Sequence, residues 1–232
     1  MSWERFGGLR EAIAQLAAQI MFGEGVKQYF TAKRLAAKRL TRGHEKNLRY
    51  RPRDLPSNGE IKAALLELVE EIEGDDRTRR LFAMRIAALE AMAELEPFSP
   101  RLIGSVATGH VREGSDVDLH VFAFDPEDVI SHVRALRWTF EVQHVSIVKH
   151  GRPMEFVHVH VPDVFPLELT VYAPRELRHR PRSSTDGKPI VRLRPSALRA
   201  VLARDHPEAW TRFVETGEVA PFEELLGDSR LD

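Results

Sequence analysis

The spacing of apolar and polar positions along this chain changes once, near Pro100. Before it the period is helical. Phe6, Leu9, Ile13, Leu16 and Ile20 recur three and four apart, which places them on one face of a helix. Gly23 and Gly25 end that run, and "GVKQYFTAKRLAAKRLTR" reads as a second helix. A stretch rich in turn residues, "YRPRDLPSNG", leads to a third stripe of Ile61, Leu65, Leu68, Val69 and Ile72. "GDD" at Gly74 to Asp76 reads as a turn. A fourth stripe, Leu81, Met84, Ala88, Met92 and Leu95, is stopped by Pro97 and Pro100.

Beyond Pro100 the period falls to two. "RLIGS" predicts a short strand, and in "DVDLHVFAF" Val117, Leu119 and Val121 alternate onto one face. "DPEDVISHVRAL" predicts a helix with Asp125 as its N-cap. "WTFEVQHVSIVK" and "MEFVHVHV" are β-rich runs joined by "HGRP", which predicts a hairpin, and "LELTVY" predicts a further strand. A turn, "STDGKP", precedes helices starting near Ser196 and Pro207. The expected fold class is α+β. Residues 1–97 form a helical N-terminal region, and 98–232 hold the sheet-bearing core with a short helical tail.

Composition narrows the class without naming a function. At 232 residues with 43% hydrophobic and 30% charged side chains, the chain can bury a real core. A net charge of -1 makes it no general electrostatic attractor for nucleic acid. The absence of cysteine excludes disulfides and thiolate metal sites and agrees with a reducing compartment. In "AIAQLAAQIMF", Gln15 and Gln19 interrupt the apolar run, and Glu4 and Glu11 precede it, so neither a membrane span nor a signal peptide is expected. The expected location is cytoplasmic.

The chemistry concentrates in "GSVATGHVREGSDVDLHVF". Asp116 and Asp118 are two apart on a strand, so both leave the same face, with their Cα atoms about 6–7 Å apart. Like charges so placed repel unless a cation lies between them, and oxygen donors suit Mg²⁺, above all when phosphates complete its shell. Taken alone, the pair fits an exposed strand end just as well. Gly104 and Ser105 tip the balance: a residue without Cβ lets backbone approach a phosphate, and the Ser105 hydroxyl can hold its oxygens.

This stretch resembles the nucleotidyltransferase signature of the DNA polymerase β superfamily, a Gly-Ser followed eleven residues after the serine by Asp-x-Asp. It is most similar to the minimal bacterial members, which share Gly109 and Ser115. The likeness runs from Arg101 to Tyr172. It implies a polymerase-β-type core, a mixed or antiparallel sheet with helices, and transfer of a nucleoside monophosphate from an NTP such as ATP to a hydroxyl, releasing pyrophosphate. It also implies two Mg²⁺ ions, with Mn²⁺ as an alternative, and a third carboxylate on a later strand. Glu168 in "LELTVY" fits that place, because Leu167, Leu169 and Val171 alternate away from it. Asp163, in the turn "PDVFP", and Glu155, alternating with its strand's valines, are the rivals. The catalytic and metal set is therefore Asp116, Asp118 and Glu168, with Gly104, Ser105, Ser115 and Arg112 on the nucleotide.

The chain also departs from that pattern. Val106 and Thr108 stand where minimal members often carry arginine, which leaves phosphate contacts to His110 or Arg112. His120 is read as a buried histidine rather than a substrate contact. His158 and His160 share a strand face but lack a third partner at recognisable spacing, and are read as exposed sheet residues rather than a zinc site. Basic residues cluster from Lys33 to Arg53 and again from Arg175 to Arg182, readable as grooves for RNA or nucleotide phosphate or as solvated surface. The Arg-Arg-Asp stretch and Glu-Asp box of tRNA CCA-adding enzymes are absent. The acceptor is left open between RNA end, protein and small molecule. A catalytically silent nucleotide- or RNA-binding relative acting through a partner protein is the alternative, and a plain α+β interaction protein a third.

Overall fold

Alanine sets the packing of the N-terminal helices. In the computed structural model, which describes residues 8–42, 51–149, 152–179, 181–182, 187 and 189–220, Ala17, Ala18, Ala32, Ala36 and Ala37 are fully buried. They lie on α1 (Leu9–Gly23) and α2 (Tyr29–Arg42). Side chains this small let helix axes come close, and Ile13, Ile20, Ile61 and Val69 fill the remaining space. The third helix, α3 (Asn58–Glu94), opens on a capping box: Ser57 Oγ accepts from Glu60 N and Glu60 Oε2 accepts from Ser57 N. Of the first helical stripe, Phe6 lies outside the described residues.

The expected turn at "GDD" is present as a kink at Gly74 (φ 42°, ψ -119°), where two helices meet within the span Asn58–Glu94. The chain divides there into two compact units, residues 1–74 with 183–188, and residues 75–182 with 189–232. The helical region read over 1–97 therefore gives its last part, from Asp75 on, to the unit that contains the sheet.

That second unit is α+β, with a five-stranded mixed sheet. Its strands are β1 (Arg101–Leu102), β2 (Val117–Phe122), β3 (Glu141–Lys149), β4 (Arg152–Val161) and β5 (Leu167–Tyr172), in spatial order β1-β2-β5-β4-β3. Only β2 and β5 pair in parallel; the other neighbours are antiparallel. The "RLIGS" strand stops at Leu102. Gly104–Thr108 form a short helix, α4, so the Gly-Ser pair starts a helical turn rather than closing a strand. Asp125 caps α5 (Pro126–Ala135) as expected, its Oδ1 accepting from Glu127 N at 2.9 Å. Two final helices, α6 (Pro195–Asp205) and α7 (Pro207–Thr216), complete the order. His150 and Gly151 of "HGRP", and most of "STDGKP", lie outside the described residues. Among the described residues no helix is long and apolar enough to cross a membrane.

Alternation sorts the sheet into two faces. Val117, Leu119 and Val121 on β2, Leu167, Leu169 and Val171 on β5, and Val157, Val159 and Val161 on β4 share one core with Met84, Met92 and Leu95 of α3, Val129 and Val133 of α5, and Leu198 and Leu202 of α6. The other face is left to polar and aromatic side chains.

Arg85 sits in the α3 stripe yet is buried. Its Nε donates to the carbonyl of Val106 at 3.2 Å and its Nη1 to Asp205 Oδ2 at 2.9 Å, with His206 Nε2 at 3.2 Å. It thus ties α4 to the end of α6. Arg77 adds a hydrogen bond to the carbonyl of Gly109 at 2.8 Å. Breaking such a buried charged link leaves the Val106 carbonyl without this donor and the Asp205 carboxylate with Arg204 Nε, at 2.7 Å, in place of both arginines. Arg85→Ala is therefore expected to cost about 3 kcal/mol, read as a lowered denaturant midpoint with the slope unchanged. A change within 0.5 kcal/mol, the ordinary range of a surface substitution, would rule out the clamp.

Candidate active site

Register across the parallel pair builds the site. Val117 lies opposite Leu167, so Asp118 lies opposite Glu168, His120 opposite Thr170 and Phe122 opposite Tyr172. On the far side of β5, His160 faces Glu168 and His158 faces Thr170. Rows of polar groups therefore cross three strands: Asp118, Glu168 and His160, then His120, Thr170 and His158. Asp116 stands one residue before β2, at the same end of the sheet. A cavity of about 380 Å³ opens there, lined by Asp116, Glu141, His160, Asp163 and Glu168 among others.

Burial and neighbouring charge act together on Asp118. Loss of solvent, the largest cause, then the charges of Glu168 and Asp116, raise its pKa from the usual 3.8 to about 7. A carboxylate held this way has the negative charge of Glu168 and Asp116 around it. All three acids supply hard oxygen donors, the set that Mg²⁺ prefers, so the residues fit such an ion. The three are not drawn tightly together. Among the described residues, the group whose ligand atoms all lie within 4.8 Å of one another is His158, His160 and Glu168.

Gly104 touches this site by having no side chain. It has φ +71°, and a Cβ built there would lie 2.0 Å from Asp118 Oδ2 and 3.0 Å from its Cγ. The backbone of α4 is thus pressed against the Asp118 carboxylate, and Ile103 N donates to the Asp118 carbonyl at 3.0 Å. Sequence reading gave the glycine to a phosphate; the structure gives it first to the carboxylate. Ser105 follows in α4, half-buried. Ser115 Oγ accepts from Arg112 N at 3.0 Å and Ser115 N donates to the Arg112 carbonyl at 3.1 Å. This reciprocal pair closes the turn that delivers Asp116. His110 Nδ1 lies 3.1 Å from Thr108 Oγ1.

The rivals for the third acid are placed apart. Glu155 is exposed and pairs in register with Ser146, toward the far end of β4. Asp163 is exposed after β4, where its Oδ1 accepts from Val164 N, although it lines the same cavity.

His120 is buried, on the Asp118 face. Arg192 Nε donates to its Nδ1 at 3.0 Å, while Arg192 Nη1 holds the carbonyls of Glu176 and His179 at 2.9 and 2.8 Å. The guanidinium also lies 5.5 Å from the ring centroids of Phe122 and Tyr172. Burial first, then the Arg192 charge, push the His120 pKa down to about 3, so the ring is neutral and accepts. Nothing in the local sequence marks Arg192, since its partners lie on other segments.

The basic clusters diverge. Arg39 of the first is paired with Glu24, and Lys33 Nζ donates to Asn58 Oδ1 at 3.3 Å. Arg34 lies 5.6 Å from the centroid of exposed Phe30, and Lys38 is exposed; Lys46 and Arg49 lie outside the described residues. The second cluster begins only after β5 has run from Glu168 to Tyr172, roughly 13 Å at the usual rise, so adjacency in sequence is not adjacency along the strand. Arg175 there lies 3.8 Å from Glu176, Arg178 is exposed, and Arg180 lies outside the described residues. In comparisons with known proteins, no family model, no curated protein and no solved structure matches the chain.

Proposed function

We propose that the chain is a Mg²⁺-dependent nucleotidyltransferase with a polymerase-β-type core, moving a nucleoside monophosphate from NTP to a hydroxyl acceptor. The observation that carries this is Asp118, half-buried, pressed by Gly104 and directly opposite Glu168 across the parallel strand pair. Three acids at one sheet end make sense as holders of a divalent ion and otherwise only cost stability. Asp116, Asp118 and Glu168 would hold the metal. Bound there, Mg²⁺ neutralises triphosphate charge and makes the acceptor hydroxyl more acidic.

The chain's own groups supply the rest. His158 Nδ1 meets Glu168 Oε1 at 2.6 Å, which fixes one oxygen of the carboxyl, and the other, Oε2, would take the proton of the attacking hydroxyl. The new bond forms between the acceptor oxygen and the α-phosphorus, the bond from that phosphorus to the β-phosphate bridge breaks, and pyrophosphate leaves. The cavity beside Asp116 and Glu168 has room for the reacting phosphates.

Incubating the full chain with α-labelled NTPs, Mg²⁺ and pooled RNA, protein and small-molecule acceptors is expected to transfer label. Excess chelator should abolish the transfer and fresh Mg²⁺ restore it. Nucleotide binding without transfer from any pool would favour the silent relative instead.

A further inference from the structure

The imidazoles beside Glu168 carry a second conclusion. His158 and His160 alternate onto the same face of β4, with ring centroids 6.1 Å apart and planes 25° from parallel. Glu168 comes from the neighbouring strand, opposite His160. Its Oε1 lies 2.6 Å from His158 Nδ1 and its Oε2 3.9 Å from His160 Nδ1. One ligand atom from each of the three falls within 4.8 Å of the others. In addition, His160 Nε2 is shut off from solvent and meets no hydrogen-bond partner among the described residues, a costly state for a polar atom.

We propose that His158, His160 and Glu168 form a binding site for a first-row transition ion of the Zn²⁺ type. Two imidazoles and a carboxylate are the donors that borderline ions take, whereas Mg²⁺ seeks oxygen. Bonds of about 2.0–2.2 Å in a tetrahedral shell put ligand atoms about 3.3 Å apart, within reach of side-chain rotation from the spacing found. All three residues are half-buried. His160 and Glu168 also line the 380 Å³ cavity, so a fourth position would face solvent or substrate. Three protein ligands and an open place are the pattern of a reactive rather than a structural ion site. Sequence spacing hid it because the third ligand lies on another strand. The site shares Glu168 with the acids proposed for Mg²⁺ but needs neither Asp116 nor nucleotidyl transfer.

The metal-stripped full chain, titrated with Zn²⁺ by calorimetry in excess Mg²⁺, is expected to bind one ion. Co²⁺ in its place should give the visible absorption of a low-coordinate site. His158→Ala and His160→Ala should each weaken Zn²⁺ binding at least ~100-fold, since even outer-shell partners are worth 10- to 100-fold. His179→Ala, an exposed histidine elsewhere, should leave it unchanged. His160→Gln keeps the site polar, and circular dichroism on each variant separates lost ligation from lost fold. Asp116→Asn should keep the Zn²⁺ site even where it removes NMP transfer, so the two readings fail separately. Zn²⁺ binding undiminished in folded His160→Gln and His158→Ala, or displacement of Zn²⁺ by millimolar Mg²⁺, overturns the proposal.

Discussion

Asp118→Asn is expected to abolish NMP transfer while making the metal-free protein more stable. The two effects have one cause. In the folded chain Asp118 titrates near pH 7, against about 3.8 for an ordinary aspartate, because it is desolvated and faces Glu168 and Asp116. The folded state therefore holds this proton more tightly than the unfolded state does. By linkage, the stabilisation is fully present below about pH 4 and is lost as pH rises through about 7. Removing the charge relieves a penalty that the displacement bounds at about 4 kcal/mol, less whatever water and side-chain movement already screen. Wild type and Asp118→Asn should thus have similar melting temperatures near pH 4 and separate progressively toward pH 8, the variant being the more stable. Transfer should fall by ~10³-fold or more, the scale for removing a group that stabilises charge in the transition state. Mg²⁺ with NTP should raise the melting temperature of wild type and not of the variant, since only a ligand that binds the folded state shifts it. A variant no more stable at pH 8 than wild type would mean that Asp118 ionises freely and the crowding of charge is not real.

Much of this face was legible in the sequence, and the exceptions share a physical reason. Alternation alone placed Leu167, Leu169 and Val171 toward the core and Glu168 away from it. Alternation could not say which strand Glu168 would meet. β2 and β5 are separated in sequence by a helix and a hairpin, and their parallel pairing is a non-local event with no local signal. The expectation of a third acid beside the first two came from the family resemblance. Without such a guide, the cross-strand partner of His158 and His160 went unseen, and two half-buried imidazoles read as exposed ones. Arg85 did leave a trace: it falls four after Leu81 and three before Ala88, inside the stripe. A cation there must either leave for solvent or find acceptors, and it found Val106, Asp205 and His206. The helix boundary at "GDD" was legible too: the turn residues there include Gly74, whose positive φ interrupts the helical backbone between the third and fourth stripes.

Gly104→Ala is the second large expected effect, and it separates backbone strain from a specific contact. Two costs overlap at Gly104: a left-handed φ of +71°, which any Cβ resists, and a clash at 2.0 Å with Asp118 Oδ2. Gly114 has nearly the same conformation, φ +69°, with nothing within 4 Å of where a Cβ would go. Alanine at either place should therefore cost about 1–2 kcal/mol for the left-handed backbone. Only at Gly104 must the Asp118 carboxylate also turn aside. Because that carboxylate is short and its Cγ and Cβ are close too, it cannot yield without leaving its place opposite Glu168. Misplacement on the order of 1 Å is enough to lose ~10²-fold in rate, so transfer by Gly104→Ala should fall at least that far, while Gly114→Ala stays within a few-fold of wild type. The melting temperature offers an independent reading. Turning Asp118 toward water should return its pKa toward the ordinary carboxylate range and flatten the fall in stability between pH 4 and 8, a change that Gly114→Ala should not show. Equal losses of transfer in the two variants, with equal pH profiles, would reduce Gly104 to a turn residue and detach the helix α4 from the work of the carboxylates.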